Sequence, residues 1–379
     1  MASKLFSPLR LGPVELANRV VIAPMCQYSA DDGSATDWHL QHWMQYAYAG
    51  AGLFMAEATA VERPGRITHG CLGLYSDANE AAAARALAAA RRVAGVAKFG
   101  IQLAHAGRKA SSQRPWEGGQ GLKAGQDPWP AEAASPIPFD LDRPAPRALD
   151  RAGIARVRGA FVAAARRAAR LGFDVVELHC AHGYLLHGFL SPISNRRDDE
   201  YGGALENRMR FALETAETVR AVLPPAVAMG ARLSAMDWVE GGWTIEDSVA
   251  LAKRLKALGL DYVCASGGGI SPKAKPPVAP GYMVPLAQRI RAEAGIATRA
   301  VGLIVDPLHA EEIVAKGQAD QVALARAFLD NPRWAWHAAE RLGGAVKYPV
   351  QYERVQAKLW PGAALARPGA MQPARAPAR

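Results

Sequence analysis

The chain has 379 residues, 50% of them apolar and 21% charged, with a formal net charge of +10. That is enough apolar material to bury a large core, which excludes a disordered or fibrous chain. The excess base is scattered in pairs such as Arg91-Arg92 and Arg166-Arg167, without the aromatic and basic stripe of a nucleic-acid surface, so no nucleic-acid partner is expected.

In chain order, short apolar runs alternate with longer amphipathic ones. They predict strands over residues 19–23, 53–57, 99–103, 175–179, 227–233, 262–266, 298–302 and 321–325. The helical segments between them approach glycines suited to a C-cap, namely Gly50, Gly95, Gly172, Gly259, Gly295 and Gly317. Thr244-Ile245-Glu246-Asp247 reads as a capping box opening a helix over 248–258. Repeated βα units of this kind predict a single (β/α)8 TIM barrel over residues 1–354, with its site gathered at the C-terminal strand ends. A doubly wound sheet would need Gly-x-Gly-x-x-Gly after an early strand, and Gly267-Gly268-Gly269 comes too late for that. Residues 104–149, full of Pro, Gly and Trp, predict an elaborated loop after the third strand. Residues 355–379 hold Lys358, Arg367, Arg375 and Arg379 and no acid, and predict a disordered tail.

No run approaches the ~18 apolar residues of a membrane helix, and the N-terminus has no signal-like segment. Cys26, Cys71, Cys180 and Cys264 are widely spaced, which fits free thiols in a reducing, cytoplasmic setting and rules out a cysteine-held cluster.

The strand exits carry the chemistry. Val175-Val176-Glu177-Leu178-His179-Cys180-Ala181-His182-Gly183-Tyr184 ends an apolar strand with two imidazoles and a phenol. Two imidazoles so placed can donate N–H to one oxygen and polarise a carbonyl, while a phenol delivers a proton. The alternative is a metal-dependent barrel hydrolase or lyase using His179, His182 and a carboxylate such as Glu177. Arg232 interrupts an apolar strand and needs an anionic partner, either a carboxylate such as Glu57 or Glu177 or a bound anion. Gly302 and Arg326, after the last two strands, are candidates for a phosphate site.

Further stretches join these. Pro24-Met25-Cys26-Gln27-Tyr28, Glu57-Ala58-Thr59-Ala60-Val61, Gln102-Leu103-Ala104-His105-Ala106-Gly107-Arg108-Lys109, Asp199-Glu200-Tyr201-Gly202-Gly203 with Glu206-Asn207-Arg208, and Gln351-Tyr352-Glu353-Arg354 follow in order. With the His179–Tyr184 stretch they closely resemble the old yellow enzyme family, in its thermophilic-like branch of flavin ene-reductases of the NADPH dehydrogenase type. The likeness runs from about Leu5 to Arg354.

The resemblance implies tightly bound, non-covalent FMN across the barrel mouth, NADPH as hydride donor, and no metal. Ala23, Pro24, Met25, Cys26, Ala60 and Gln102 would surround the ring, Arg232 would face its N1 and C2 carbonyl edge, and Gly302, Ala325 and Arg326 would hold the phosphate. His179 and His182 would bind the oxygen of an α,β-unsaturated carbonyl compound, Tyr184 would protonate its α-carbon, and Cys26 would tune the flavin. Tyr28 would contact substrate, Lys109 would stand on the lid side, and Arg354 would reach a neighbour's site in a homodimer or homotetramer. Three residues depart from the family's pattern: Ala23 where a hydroxyl side chain is common, Ala325 where glycine is common, and Cys180, an oxidisable residue between the histidines.

Overall fold

The computed structural model describes residues 2–367. Eight parallel strands close into a barrel in chain order: β1 Val20–Ile22, β2 Leu53–Ala60, β3 Lys98–Ala104, β4 Val175–Cys180, β5 Ala228–Ser234, β6 Tyr262–Ser266, β7 Ala297–Ala300 and β8 Gln321–Leu324. Helices such as Arg151–Leu171, Leu205–Val222 and Ile245–Ala257 run between them, giving the expected (β/α)8 barrel. All eight expected strands form, with ends shifted by up to a few residues. The largest extension is in β2, which runs to Ala60 past a register break between Ala56 and Ala58.

Alternation along each strand separates two cores. In β4, Val176, Leu178 and Cys180 pack outward against the helices, while Val175 joins the barrel interior. Glu177 and His179 share the inward face with Val175, because side chains two apart on a strand point the same way. In β5 the inward set holds Ala228 and Arg232, against outward Met229, Ala231 and Leu233. Cys180 is therefore sealed in the helix layer, and burial pushes its thiol well above the usual range. The exposure to oxidants expected from its place between the histidines is not realised, since the thiolate is the reactive form.

Of the expected C-caps, Gly172 and Gly295 adopt the left-handed conformation directly after their helices, at φ 85° and 62°. Gly95 does not; the helix Asp77–Val93 ends on Ala94 in extended backbone. The Thr244–Asp247 capping box is present and opens the helix one turn earlier than expected, at Ile245. Past Ala104, which ends β3, the segment to residue 149 holds 3-10 turns, a lone Ser112–Gly121 bridge and a two-residue parallel pairing, Glu132–Ala133 with Arg147–Ala148.

Beyond Arg354 the contacts continue. A short helix, Ala363–Ala366, follows, and Arg367 forks onto Glu340 at 2.6 and 2.8 Å. The rest of the expected tail, residues 368–379, lies outside the described residues. Among the described residues no helix is long and apolar enough to cross a membrane.

Mid-barrel, Glu177 is fully buried and accepts from Gln102 Nε2 (2.7 Å), Tyr262 Oη (2.9 Å) and Arg299 Nη1 (3.0 Å). Arg299 also lies over the Tyr262 ring, 4.2 Å from its centroid. Replacing Arg299 with Met removes the cation paired with this carboxylate, and is expected to lower stability by about 3–5 kcal/mol in chemical denaturation. A loss below about 1 kcal/mol would show that the pair is not a structural ion pair.

Candidate active site

The end of β4 turns sharply. His182 has φ 59°, unusual for a residue with a Cβ, and Gly183 follows at φ 77°. A Cβ on Gly183 would come within 2.3 Å of the Gly269 carbonyl oxygen, so only glycine fits there. The turn aims His179 and His182 at each other, with His179 Nε2 3.3 Å from His182 Nδ1. His179 Nδ1 accepts the Ala181 N–H at 3.2 Å, which leaves the His179 ring proton on Nε2. His182 Nε2 lies 2.8 Å from Ser266 Oγ. When that hydroxyl donates, His182 carries its proton on Nδ1, and both imidazoles present an N–H to one oxygen. Burial, then the charge of Arg232, holds both rings well below the ordinary histidine range, so both are neutral donors at neutral pH.

Tyr184 stands edge-on to His179, ring centroids 4.7 Å apart. Burial raises its phenol well above the usual range, so it keeps its proton. Lys109 donates to the carbonyls of His182 (3.0 Å) and Gly269 (3.3 Å) and sits over the Phe139 and Tyr184 rings. Burial, then the charges of Arg143 and Arg108, pulls its ammonium down to about 8. Cys26 and Tyr28 are half-buried at the exit of β1. Burial, then Glu57, raises the Cys26 thiol well above its usual range, so it acts as an uncharged contact.

Beside this group opens a cavity of about 180 Å³ lined by Ala23, Arg232, Ser266, Gly302, Ala325 and Arg326, with Tyr282, Met283 and the residues after β7. Five of the ten expected cofactor residues meet there. Among the described residues Arg232 has no carboxylate partner: Glu177 is taken by Arg299, and Glu57 faces His39 Nε2 at 3.3 Å while accepting the Gln27 N–H. Its one hydrogen bond is from Nη2 to Ser266 Oγ at 3.5 Å, and Nε is buried without a partner. Gly302, at φ 108°, has Met283 within 3.2 Å of where a Cβ would stand, which keeps the wall flat. An unpartnered cation at one side and a bare glycine with exposed Arg326 at the other fit a flat anionic molecule carrying a phosphate, as FMN does.

The other expected residues are placed as follows. Ala60 lines a smaller adjoining cavity with Tyr184 and Cys71, and its N–H and carbonyl are both spent on the 72–74 segment, so it offers only its methyl. The Ala23 N–H is spent on Leu324, leaving its carbonyl. Gln102 is buried with its amide donating to Glu177. Pro24 and Met25 are half-buried beside Cys26, and Arg354 is exposed in the 3-10 turn Val350–Val355. Met283 was missed, since a methionine at the start of a helix carries no sequence signal for a site. For the metal alternative, the carboxylate proposed as third ligand is already engaged. Glu177 is committed to Arg299, and among the described residues the one cluster of three ligand-type side chains is Glu62, His105 and Glu132, whose acids are paired with Arg156 and Arg147.

Fold and site define a barrel oxidoreductase built around a flat anionic cofactor. Residues 4–343 match the NADH:flavin oxidoreductase / NADH oxidase family, and the chain belongs to that family; its cofactor is FMN. It is 45% identical over 356 residues to an NADPH dehydrogenase of a Geobacillus species, covering 93% of this chain and 99% of that one. An NADPH dehydrogenase of Listeria innocua is 44% identical over 354 residues, with the same shares. Among solved structures, morphinone reductase in complex with tetrahydroNAD superposes with a TM-score of 0.73 at 29% identity, covering 91% of this chain and 92% of that one.

Replacing Arg232 with Leu is expected to raise the FMN dissociation constant roughly tenfold or more, because a hydrogen bond to a charged group contributes about 1.5–3 kcal/mol. Flavin fluorescence during titration measures this, and an unchanged constant would remove Arg232 from the cofactor site.

Proposed function

We propose that the protein is an NADPH-dependent ene-reductase acting on α,β-unsaturated carbonyl compounds. The observation that carries this reading is the pair His179 and His182, neutral and 3.3 Å apart, beside the protonated Tyr184 and the Arg232 cavity. FMN, when bound beside Arg232, Gly302 and Arg326, would supply the redox chemistry that links NADPH oxidation to reduction of the acceptor.

The chain does the rest. His179 Nε2–H and His182 Nδ1–H hold the carbonyl oxygen and stabilise the charge that develops there as the β-carbon accepts hydride. Tyr184 gives its phenolic proton to the α-carbon, completing the addition of one hydride and one proton across the double bond. Tyr28, whose ring stands 5.9 Å from that of Trp116, closes the substrate side from β1 and the long loop. Arg354, exposed beside Tyr352, is available to enter the site of a second copy, which makes a homodimer or homotetramer part of this reading.

The double replacement of His179 and His182 by Ala is expected to leave a yellow protein whose enone turnover falls by about 100-fold or more, on the scale of losing oxyanion donors. Tyr184→Phe is expected to slow reoxidation of the flavin by enone far more than its reduction by NADPH, as stopped-flow absorbance resolves. Equal slowing of both steps would take the proton donor's role away from Tyr184.

A further inference from the structure

We propose that Asp237 and His187 are positioning residues that fix the His182–Gly183–Tyr184 turn, and through it the oxygen-binding pair. The inference rests on the reading of His179 and His182 given above.

The turn needs holding. A non-glycine residue at φ 59° followed by a left-handed glycine persists only where its surroundings over-determine it. Three groups grip it: Ser234 Oγ accepts the His182 N–H (2.8 Å), Lys109 takes the His182 carbonyl (3.0 Å), and His187 Nδ1 accepts the Gly183 N–H (2.8 Å). The last grip works only while His187 Nδ1 is bare and the ring proton sits on Nε2. Nε2 lies 3.0 Å from Asp237 Oδ1, and both side chains are fully buried. The other carboxylate oxygen, Oδ2, accepts from Ser191 Oγ (2.6 Å) and the Trp243 N–H (2.8 Å). Burial opposes ionisation of Asp237, but His187, Ser191 and the Trp243 N–H outweigh it and hold the carboxyl below its ordinary range. The carboxylate therefore sets the His187 tautomer and ties the β4 turn to the loop after β5. Neither residue reaches the cavity that takes the flavin.

In Asp237→Asn only one oxygen remains. If it serves Ser191 and Trp243, the amide NH₂ faces Nε2, the ring proton moves to Nδ1, and the Gly183 N–H loses its acceptor. If it serves Nε2 instead, the Trp243 N–H is orphaned.

The test uses the FMN-loaded protein titrated with p-chlorophenol, a probe whose oxygen is expected to take the place of the acceptor oxygen, with binding read from the change in flavin absorbance. Asp237→Asn and His187→Leu are expected to keep their flavin but to bind the phenol about tenfold more weakly and to raise the KM for enone. His187→Asn places Oδ1 where Nδ1 stood and is expected to recover most of the affinity, while His187→Gln, which mimics only Nε2, is not. Should Asp237→Asn lose its flavin, the comparison of His187→Asn with His187→Gln decides alone. Affinities within about twofold of native in all variants, or His187→Asn no better than His187→Gln, would overturn the proposal. Failure of the native protein itself to bind the phenol while holding FMN would instead overturn the reading of the histidine pair, and the proposal with it.

Discussion

The structure depends on where one carboxylate spends its charge. Glu177 sits at mid-barrel with no solvent, and an isolated ionised acid there would cost several kcal/mol. It is held by Arg299, Tyr262 and Gln102, from three different strands. Because Arg299 answers Glu177 and His39 faces Glu57, no acid among the described residues pairs with Arg232 nearer the barrel mouth. The barrel thus balances its own charge below and leaves a cation facing a cavity above. An unbalanced cation of this kind suits a phosphate-bearing anion such as FMN, and on the reading proposed above it is what the cofactor answers.

The same division of labour governs the end of β4. Along one strand, Glu177 belongs to the structural layer and His179, two residues on, to the site. Past the strand the chain bends through backbone that only glycine adopts freely, and it is held there by N–H groups donated to Ser234 and His187 and by a carbonyl that accepts from Lys109. On the proposal made above, precision at the imidazole pair comes from groups that never meet the acceptor.

Much of this was legible in the sequence. The eight strands read clearly because most are short apolar runs with β-branched or aromatic residues, and the inward polar residues at their ends pointed to the site. His179, His182 and Tyr184 were recognisable because their spacing spans a single turn. The partner of Arg232 was not legible, since the choice between Glu57, Glu177 and a bound anion depends on the register of strands far apart in sequence. Arg299, a charge inside β7, resolves that choice and carried no local signal. Asp237 and His187 were equally silent: 50 positions separate them, and only the closed barrel brings them to 3.0 Å. Gly95 shows the limit of glycine as punctuation, since Ala94 ends that helix in extended backbone and leaves the glycine nothing to cap.

The central claim is that the cofactor bound at the Arg232 cavity would carry electrons from NADPH to an enone whose oxygen the histidine pair holds. The most direct measurement is an anaerobic titration of the FMN-loaded protein, first with NADPH and then with cyclohexenone, followed by visible absorbance. The account predicts bleaching of the yellow colour by one equivalent of NADPH and its full return on adding one equivalent of enone. Folded protein that takes up no FMN from excess, or reduced flavin that stays bleached in the presence of enone, would contradict it.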